Sequence, residues 1–341
     1  MSLLSARIHA NNREMKTPER EVSKNRPTGW KSVRTAVATI SYFEDGPSGG
    51  SPVFLLHGFP DDPTGFDKVV NRISNCGLRL IRPFLRGFGP TVINEPGARS
   101  GEAAALGQDL LDLADALEIS VSKVVGHDWG SRAGHAAAIL APHRISSLLA
   151  IASPFFVDPD MPFQLRLLQT QAFWYQLYFH TREGKLALEQ QAAELAEHIW
   201  RTWSPTWKFA PEELQVVLPS LSNPLFADTV VSYYQHRWNV GIDSPVYEAQ
   251  QVALRAARTV DVPTTFICGD ADACTLPAVS RNVERFYTAG YERIELAGVG
   301  HFPHREQPTA VADLILRFIF PGSIEGVADQ SVRKQSHEQR P

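Results

Sequence analysis

The sequence predicts an α/β fold: a mostly parallel sheet flanked by helices and interrupted by an inserted helical segment. Three observations predict it. Through the first half of the chain, short β-branched and apolar runs alternate with segments of helical spacing. From about Phe155 to Thr259 the alternation stops, and the chain reads as helical and rich in aromatics. Alternation then resumes to about residue 320. Strands that alternate with helices call for a parallel sheet covered on both faces.

Each element has its own signal. "TAVATISYFED" (35–45) and "SPVFLLHGF" (51–59) read as strands around a glycine-rich turn. "GFDKVVNRISNCG" (65–77) is a helix with a glycine stop, and "LRLIRPF" (78–84) is a strand. Residues 101–119 are a helix, with Leu106, Leu110, Leu113 and Leu117 at helical spacing. "KVVGHD" (123–128) is a strand that runs into an alanine-rich helix at 129–142, closed by proline. "ISSLLAIAS" (145–153) is a strand. After the insertion come a strand at 260–270, a helical stretch at 278–290, a strand at 291–298 and a helix at 309–320. The predicted organisation is a weakly ordered segment 1–28, a core part 29–154, the helical insertion 155–259, a second core part 260–321 and a weakly ordered tail 322–341.

Composition narrows the function classes. The chain has 341 residues, 43% hydrophobic and 21% charged, which is ordinary for a globular enzyme. Basic and acidic residues number 33 and 37, with no basic face or stripe, so no nucleic-acid partner is expected. No run of about 18 apolar residues exists, so no membrane span is expected. The three cysteines, Cys76, Cys268 and Cys274, fit reduced thiols better than a disulfide framework, and the expected location is the cytoplasm.

Four of the expected strand ends carry reactive groups: "HGFP" (57–60), "GHDWG" (126–130), "GDAD" (269–272) and "GVGHFPH" (298–304). Open α/β sheets bind ligands at the carboxyl ends of their strands. The stretch 123–137 is a strand, a glycine-flanked tight turn and a helix, the setting in which hydrolases hold a serine nucleophile. Here the central residue is Asp128. In chain order an aspartate near 270–272 and His301 follow it. An aspartate between a strand and a helix is often only an N-cap, and His301 alone could be a packed loop residue.

Together, "HGFP", "GHDWGS" and "GVGHFPHREQP" resemble the α/β-hydrolase superfamily, in its epoxide hydrolase and haloalkane dehalogenase branch, over roughly residues 30 to 320. The resemblance implies the α/β-hydrolase fold, an eight-stranded sheet with a helical cap, and no cofactor or metal. It departs from the family at "FLRGFGP" (84–90), where Phe84 stands in place of the usual aspartate.

The chemistry that the resemblance implies suits a carboxylate at the elbow. Asp128 is already ionised at neutral pH and attacks a saturated carbon directly, giving an alkyl ester. His301, oriented by a carboxylate, then activates water against that ester. The family pattern places the orienting acid at Asp272, with Asp270 as a capping residue. Asp158 or Asp160, after the strand ending near Ser153, are further alternatives. The backbone N–H groups of Phe59 and Trp129 are the expected oxyanion donors. His127 and Ser131 read as structural. His301 and His304 lie three apart but lack an evident ligand set for zinc.

The cap separates the reaction classes. Epoxide hydrolases resembling this chain hold two tyrosines over the nucleophile, and family pattern selects Tyr175 and Tyr234, with Tyr178 and Tyr233 as alternatives. Aromatic clusters on helices are otherwise usually core. The expectation is a cofactor-free epoxide hydrolase acting on an epoxide with an apolar or aromatic body. The reactants are that epoxide and water, and a homodimer is left open. The alternatives are a haloalkane or haloacid dehalogenase with the same nucleophile, and a non-catalytic ligand-binding protein on the same fold. Dehalogenases of the first kind usually carry asparagine where this chain has Phe59. A serine esterase is disfavoured because no G-x-S-x-G elbow occurs.

Overall fold

A computed structural model describes residues 29–321 and the backbone of 332–333. Segment 1–28 and the rest of the tail, both expected to be weakly ordered, lie outside the described residues. The strands are β1 (Lys31–Arg34), β2 (Ala38–Asp45), β3 (Ser51–Leu56), β4 (Leu78–Pro83), β5 (Val92–Ile93), β6 (Ser122–His127), β7 (Ile145–Ile151), β8 (Thr264–Gly269), β9 (Tyr291–Leu296) and β10 (Val332–Arg333). They form one sheet in the order β1-β2-β4-β3-β6-β7-β8-β9-β10, with β5 paired to β2. Strands β3, β4, β6, β7, β8 and β9 run parallel; β1, β2, β5 and β10 pair antiparallel. Eight of the ten have four or more residues, and β5 and β10 are two-residue additions.

The central strands are apolar on both faces, as strands sandwiched between helices must be. Phe54, Leu56, Val124, Leu148 and Ala150 join one core cluster; Val53, Leu55, Val125 and Leu149 join the other. Helices α1 (Asp67–Ile73) and α12 (Pro308–Ile319) cover the second face. Helices α2 (Ala103–Ala116) and α3 (Trp129–Leu140) cover the first. They approach closely at Gly107, where a Cβ would lie 2.7 Å from that of Ala136.

Between β7 and β8 the chain forms α4 (Phe163–Ala172), α5 (Trp174–Tyr178), α6 (Arg182–Gln190), α7 (Ala192–Trp203), α8 (Pro211–Val217), α9 (Phe226–Arg237) and α10 (Glu248–Ala256). These helices are termed the cap below. A short helix α11 (Pro303–Glu306) precedes α12.

One expectation fails. Residues 278–290 form no α-helix, only 3-10 turns at Pro277–Ser280 and Glu284–Phe286. Val279 and Val283 are both buried, and their spacing of four imitates a helix. Between them Asn282 takes a φ of 59°, which breaks any helix. Strands β1 and β5 also carried no signal of their own.

The connection after β3 goes to β4 on one side, and the next returns to β6 on the other. This reversal is a topological switch point, where a crevice opens beyond the strand ends. In β3 and β6, Leu56 stands opposite Gly126, so "HGFP" and "GHDWG" leave the sheet side by side.

Candidate active site

Asp128 sits between β6 and α3 with φ 50° and ψ −113°. A non-glycine residue there is strained by about 1–3 kcal/mol, and the surroundings must hold it. They do so through Asp128 N–H, which donates to Ile151 O at 3.0 Å, and through the close packing of the elbow. A Cβ at Gly126 would lie 2.2 Å from Gly130 O, and one at Gly130 would lie 2.2 Å from Leu56 O. Only glycine permits that approach. The turn pushes the Asp128 carboxylate out beyond the sheet.

Asp128 Oδ1 accepts a hydrogen bond from Phe59 N–H at 3.0 Å. Its Oδ2 lies 3.7 Å from His301 Nε2. Trp129 is the first residue of α3, so its N–H belongs to the unsatisfied donors of a helix start. His301 Nδ1 donates to Asp272 Oδ2 at 2.8 Å, and Asp272 Oδ1 accepts from Cys274 N–H at 2.8 Å and Thr275 N–H at 2.9 Å. Asp128, His301 and Asp272 are therefore brought together in line.

The alternatives go elsewhere. Asp270 accepts from Gly298 N–H at 2.6 Å. Asp158 pairs with Arg285 at 2.9 Å, and Asp160 is exposed. Tyr233 donates its hydroxyl to Arg86 O at 2.8 Å, and Tyr178 donates to Glu183 O at 3.3 Å. His127 Nε2 donates to His301 O at 2.8 Å, and Ser131 Oγ donates to Ser153 O at 2.6 Å, so both brace the elbow. Phe84 is buried against Phe43, with ring centroids 5.4 Å apart.

Tyr175 on α5 and Tyr234 on α9 are buried over the elbow, with ring centroids 5.3 Å apart and planes at 89°. Tyr175 accepts from Gln176 Nε2 at 2.9 Å, and its hydroxyl lies 3.4 Å from Cys274 Sγ. The Tyr234 hydroxyl has no partner among the described residues. Both line a narrow cavity with Asp128, Trp129 and Arg132.

Electrostatics sort the roles. Burial alone would lower the His301 pKa, but Asp272 and Asp128 outweigh it and raise it to about 10. Burial pushes the Asp272 carboxyl up against the pull of His301 and two N–H groups. Burial also opposes ionisation of Asp128, yet His301, His127 and the Phe59 N–H hold its pKa below the ordinary value. Burial drives both phenols well above their usual range, so Tyr175 and Tyr234 keep their protons.

A family model describing the alpha/beta hydrolase fold matches residues 51–308. The chain belongs to the α/β-hydrolase family. Within it, the chain falls in the epoxide hydrolase branch. It is similar to the protein named Epoxide hydrolase of Caballeronia sordidicola, 23% identical over 85% of this chain and 94% of that one. It is also similar to Epoxide hydrolase A of Mycobacterium tuberculosis, 23% identical over 84% of this chain and 96% of that one. A crystal structure of a candidate epoxide hydrolase from Klebsiella pneumoniae superimposes with a TM-score of 0.77. It is 30% identical, over 84% of this chain and 96% of that one.

Among α/β-hydrolases the strand-end residues are the readable part; their supports were missed. Ser204 at the end of α7 accepts from His301 N–H at 2.8 Å and donates to Glu306 Oε1 at 2.7 Å. Trp203 packs edge-on to His301 at 5.0 Å between ring centroids. Trp200 Nε1 donates to Pro60 O at 2.9 Å, so "WRTWSPTWKF" braces cap to core. Asp61, His127 and His304 offer three close ligand atoms for a metal. Arg305, however, is already paired with Asp61 at 2.5 Å, which places a cation there.

Proposed function

We propose that the protein opens epoxides to vicinal diols through an alkyl-ester intermediate on Asp128. The observation that carries this reading is the pair of protonated phenols, Tyr175 and Tyr234, lining one cavity with the nucleophile. Opening an epoxide creates an alkoxide, and a phenol O–H at that oxygen donates to it and then protonates it. The relatives named epoxide hydrolase support the same reading. A dehalogenase needs N–H donors for halide, and the side chain in the place of its usual asparagine, Phe59, offers only a ring packed on Phe179 and Phe226.

In the first half-reaction Asp128 Oδ2 attacks the epoxide carbon, the C–O bond breaks, and Tyr175 and Tyr234 hold the leaving oxygen. Oδ1, held by Phe59 N–H, becomes the ester carbonyl oxygen. In the second, water attacks that carbonyl carbon. His301 Nε2 takes the water's proton, and the N–H groups of Phe59 and Trp129 receive the oxyanion. Collapse of the oxyanion breaks the ester C–O bond, the leaving diol oxygen takes the proton back from His301, and the second water proton, released by the Asp128 carboxyl, restores the phenol. His301 is timed by charge. While Asp128 is a carboxylate, it helps to keep His301 protonated and idle as a base. Esterification removes that charge, the His301 pKa falls, and the imidazole becomes a base when one is needed.

The test is a single turnover of excess enzyme with styrene oxide in ¹⁸O-water. Unlabelled diol, with label on the peptide holding Asp128, is the expected result. Labelled diol with unlabelled protein would sink the nucleophile assignment.

A further inference from the structure

The cavity at Asp128 holds a cation with no evident purpose. Arg132, one helical turn after Asp128 in α3, turns its guanidinium along the cavity wall. Its Nε and Nη1 are shut away from solvent and have no hydrogen-bond partner among the described residues. Its guanidinium lies 5.6 Å from the Trp129 ring centroid and 5.4 Å from that of Phe155. Arg237, on α9, lines the same cavity from the cap side. Its guanidinium lies 5.2 Å from the Phe173 ring centroid, and it forms no ion pair among the described residues. The fully buried arginines, by contrast, are paired with carboxylates. Arg86 spends its donors on Asp109, Tyr247, Ala98 O and Ser100 O, and Arg305 is paired with Asp61.

Guanidinium N–H groups shut away from water without a hydrogen-bond partner are costly to hold. A second guanidinium, that of the half-buried Arg237, faces the same cavity and repels the first. Burial and Arg237 together push the Arg132 pKa down to about 9, against the pull of Asp128. Such an arrangement persists where a ligand supplies the missing charge, and the planar fork of arginine suits a carboxylate in bidentate contact.

Resting on the epoxide reading above, we infer that the substrate is an epoxide that carries a carboxylate, seated between Arg132 and Arg237 while Asp128 meets the ring. Trp129, Phe155 and Phe173 flank the two cations, so the body joining carboxylate and epoxide is apolar or aromatic. The carboxylate of the substrate completes the charge balance of the site and fixes which way the epoxide faces.

The experiment compares 3-phenylglycidate with its neutral amide, and binding of cinnamate with binding of cinnamamide by calorimetry. A charged partner is worth more than an ordinary hydrogen bond, so kcat/KM for the glycidate should exceed that for the amide about tenfold or more. The preference should collapse in Arg132→Gln and in Arg237→Gln. Arg237 lies on the cap, so its variant carries the test if the Arg132 variant fails to fold. Equal turnover of glycidate and amide overturns the inference and leaves the epoxide reading intact. If neither is turned over, the epoxide reading falls and calorimetry decides the inference. Tighter cinnamate that loosens in Arg237→Gln upholds an anion site; equal or absent binding overturns it.

Discussion

His301 and His304 lie three residues apart, and each donates from its ring to a buried aspartate at nearly the same distance, 2.8 Å to Asp272 and 2.9 Å to Asp61. Their protonation goes in opposite directions. Burial would lower both. At His301 two carboxylates overcome it and the pKa rises to about 10. At His304 burial wins, because Asp61 is shared with Arg305 and further opposed by His301, and the pKa falls. Arg305 and His304 in turn hold Asp61 far below the ordinary carboxylate range, against its burial. A histidine–aspartate contact therefore does not by itself fix the protonation of the histidine. The pair at 301 is made by what is missing beside it, a permanent cation, and by the second carboxylate on its other nitrogen.

Substitution of each histidine sharpens this contrast most. His301→Gln should lower steady-state diol formation by about 10³-fold or more, with one substrate mass retained on the protein as ester. His304→Gln should leave kcat within a fewfold and cost about 1–3 kcal/mol of stability through a hydrogen bond lost in the core. Intact-protein mass spectrometry and chemical denaturation read the two outcomes. An ester trapped by His304→Gln would break the comparison.

Next in size is the cation. Asp61→Asn leaves Arg305 buried with only a neutral partner and should cost about 3–5 kcal/mol of stability. Denaturant midpoints check it, and a loss under 1 kcal/mol would mean that Arg305 finds another acceptor. Tyr234→Phe removes a phenol that has no other partner. It should lower the rate of ester formation by about 10²-fold with little change in stability, read by stopped-flow tryptophan fluorescence. A lost fold instead of lost rate would make Tyr234 core.

The smallest effect is the pH dependence of stability, and its sign differs between the two histidines. The folded pKa of His301 is raised, so its contribution is complete below about 6.5 and is lost as pH rises to about 10. That of His304 is lowered, so its contribution is complete above about 6.5 and is lost as pH falls. His301→Gln should flatten the alkaline decline and His304→Gln the acid one. An alkaline slope unchanged in His301→Gln would contradict the raised pKa.

The sheet and its strand-end loops were legible because their signals are local. A run such as "KVVGHDWG" carries strand, turn and reactive group within eight residues. The pairing of His304 with Asp61 spans 243 positions, and that of His301 N–H with Ser204 spans 97, so no window contains either. Arg132 stood in plain view, but a guanidinium reads as surface until the neighbours that fail to pair with it are known. Which groups a tyrosine hydroxyl meets, such as Arg86 O at Tyr233 or Cys274 at Tyr175, is a property of the folded neighbours. Residues 278–290 misled because buried valines four apart are compatible with two 3-10 turns as well as with a helix.

The bond from Trp200 to Pro60 O has a consequence for how this protein can be changed. The next residue back, Phe59, offers the N–H that holds Asp128. Ser220 of the cap also donates to Asp62 at 2.6 Å, on the same loop. The cap is thus stitched to the loop whose N–H holds Asp128. A chimaera that exchanges these helices for those of a relative inherits the wrong stitches unless residues 57–62 travel with them. In this protein the unit of transplantation is the cap together with that loop.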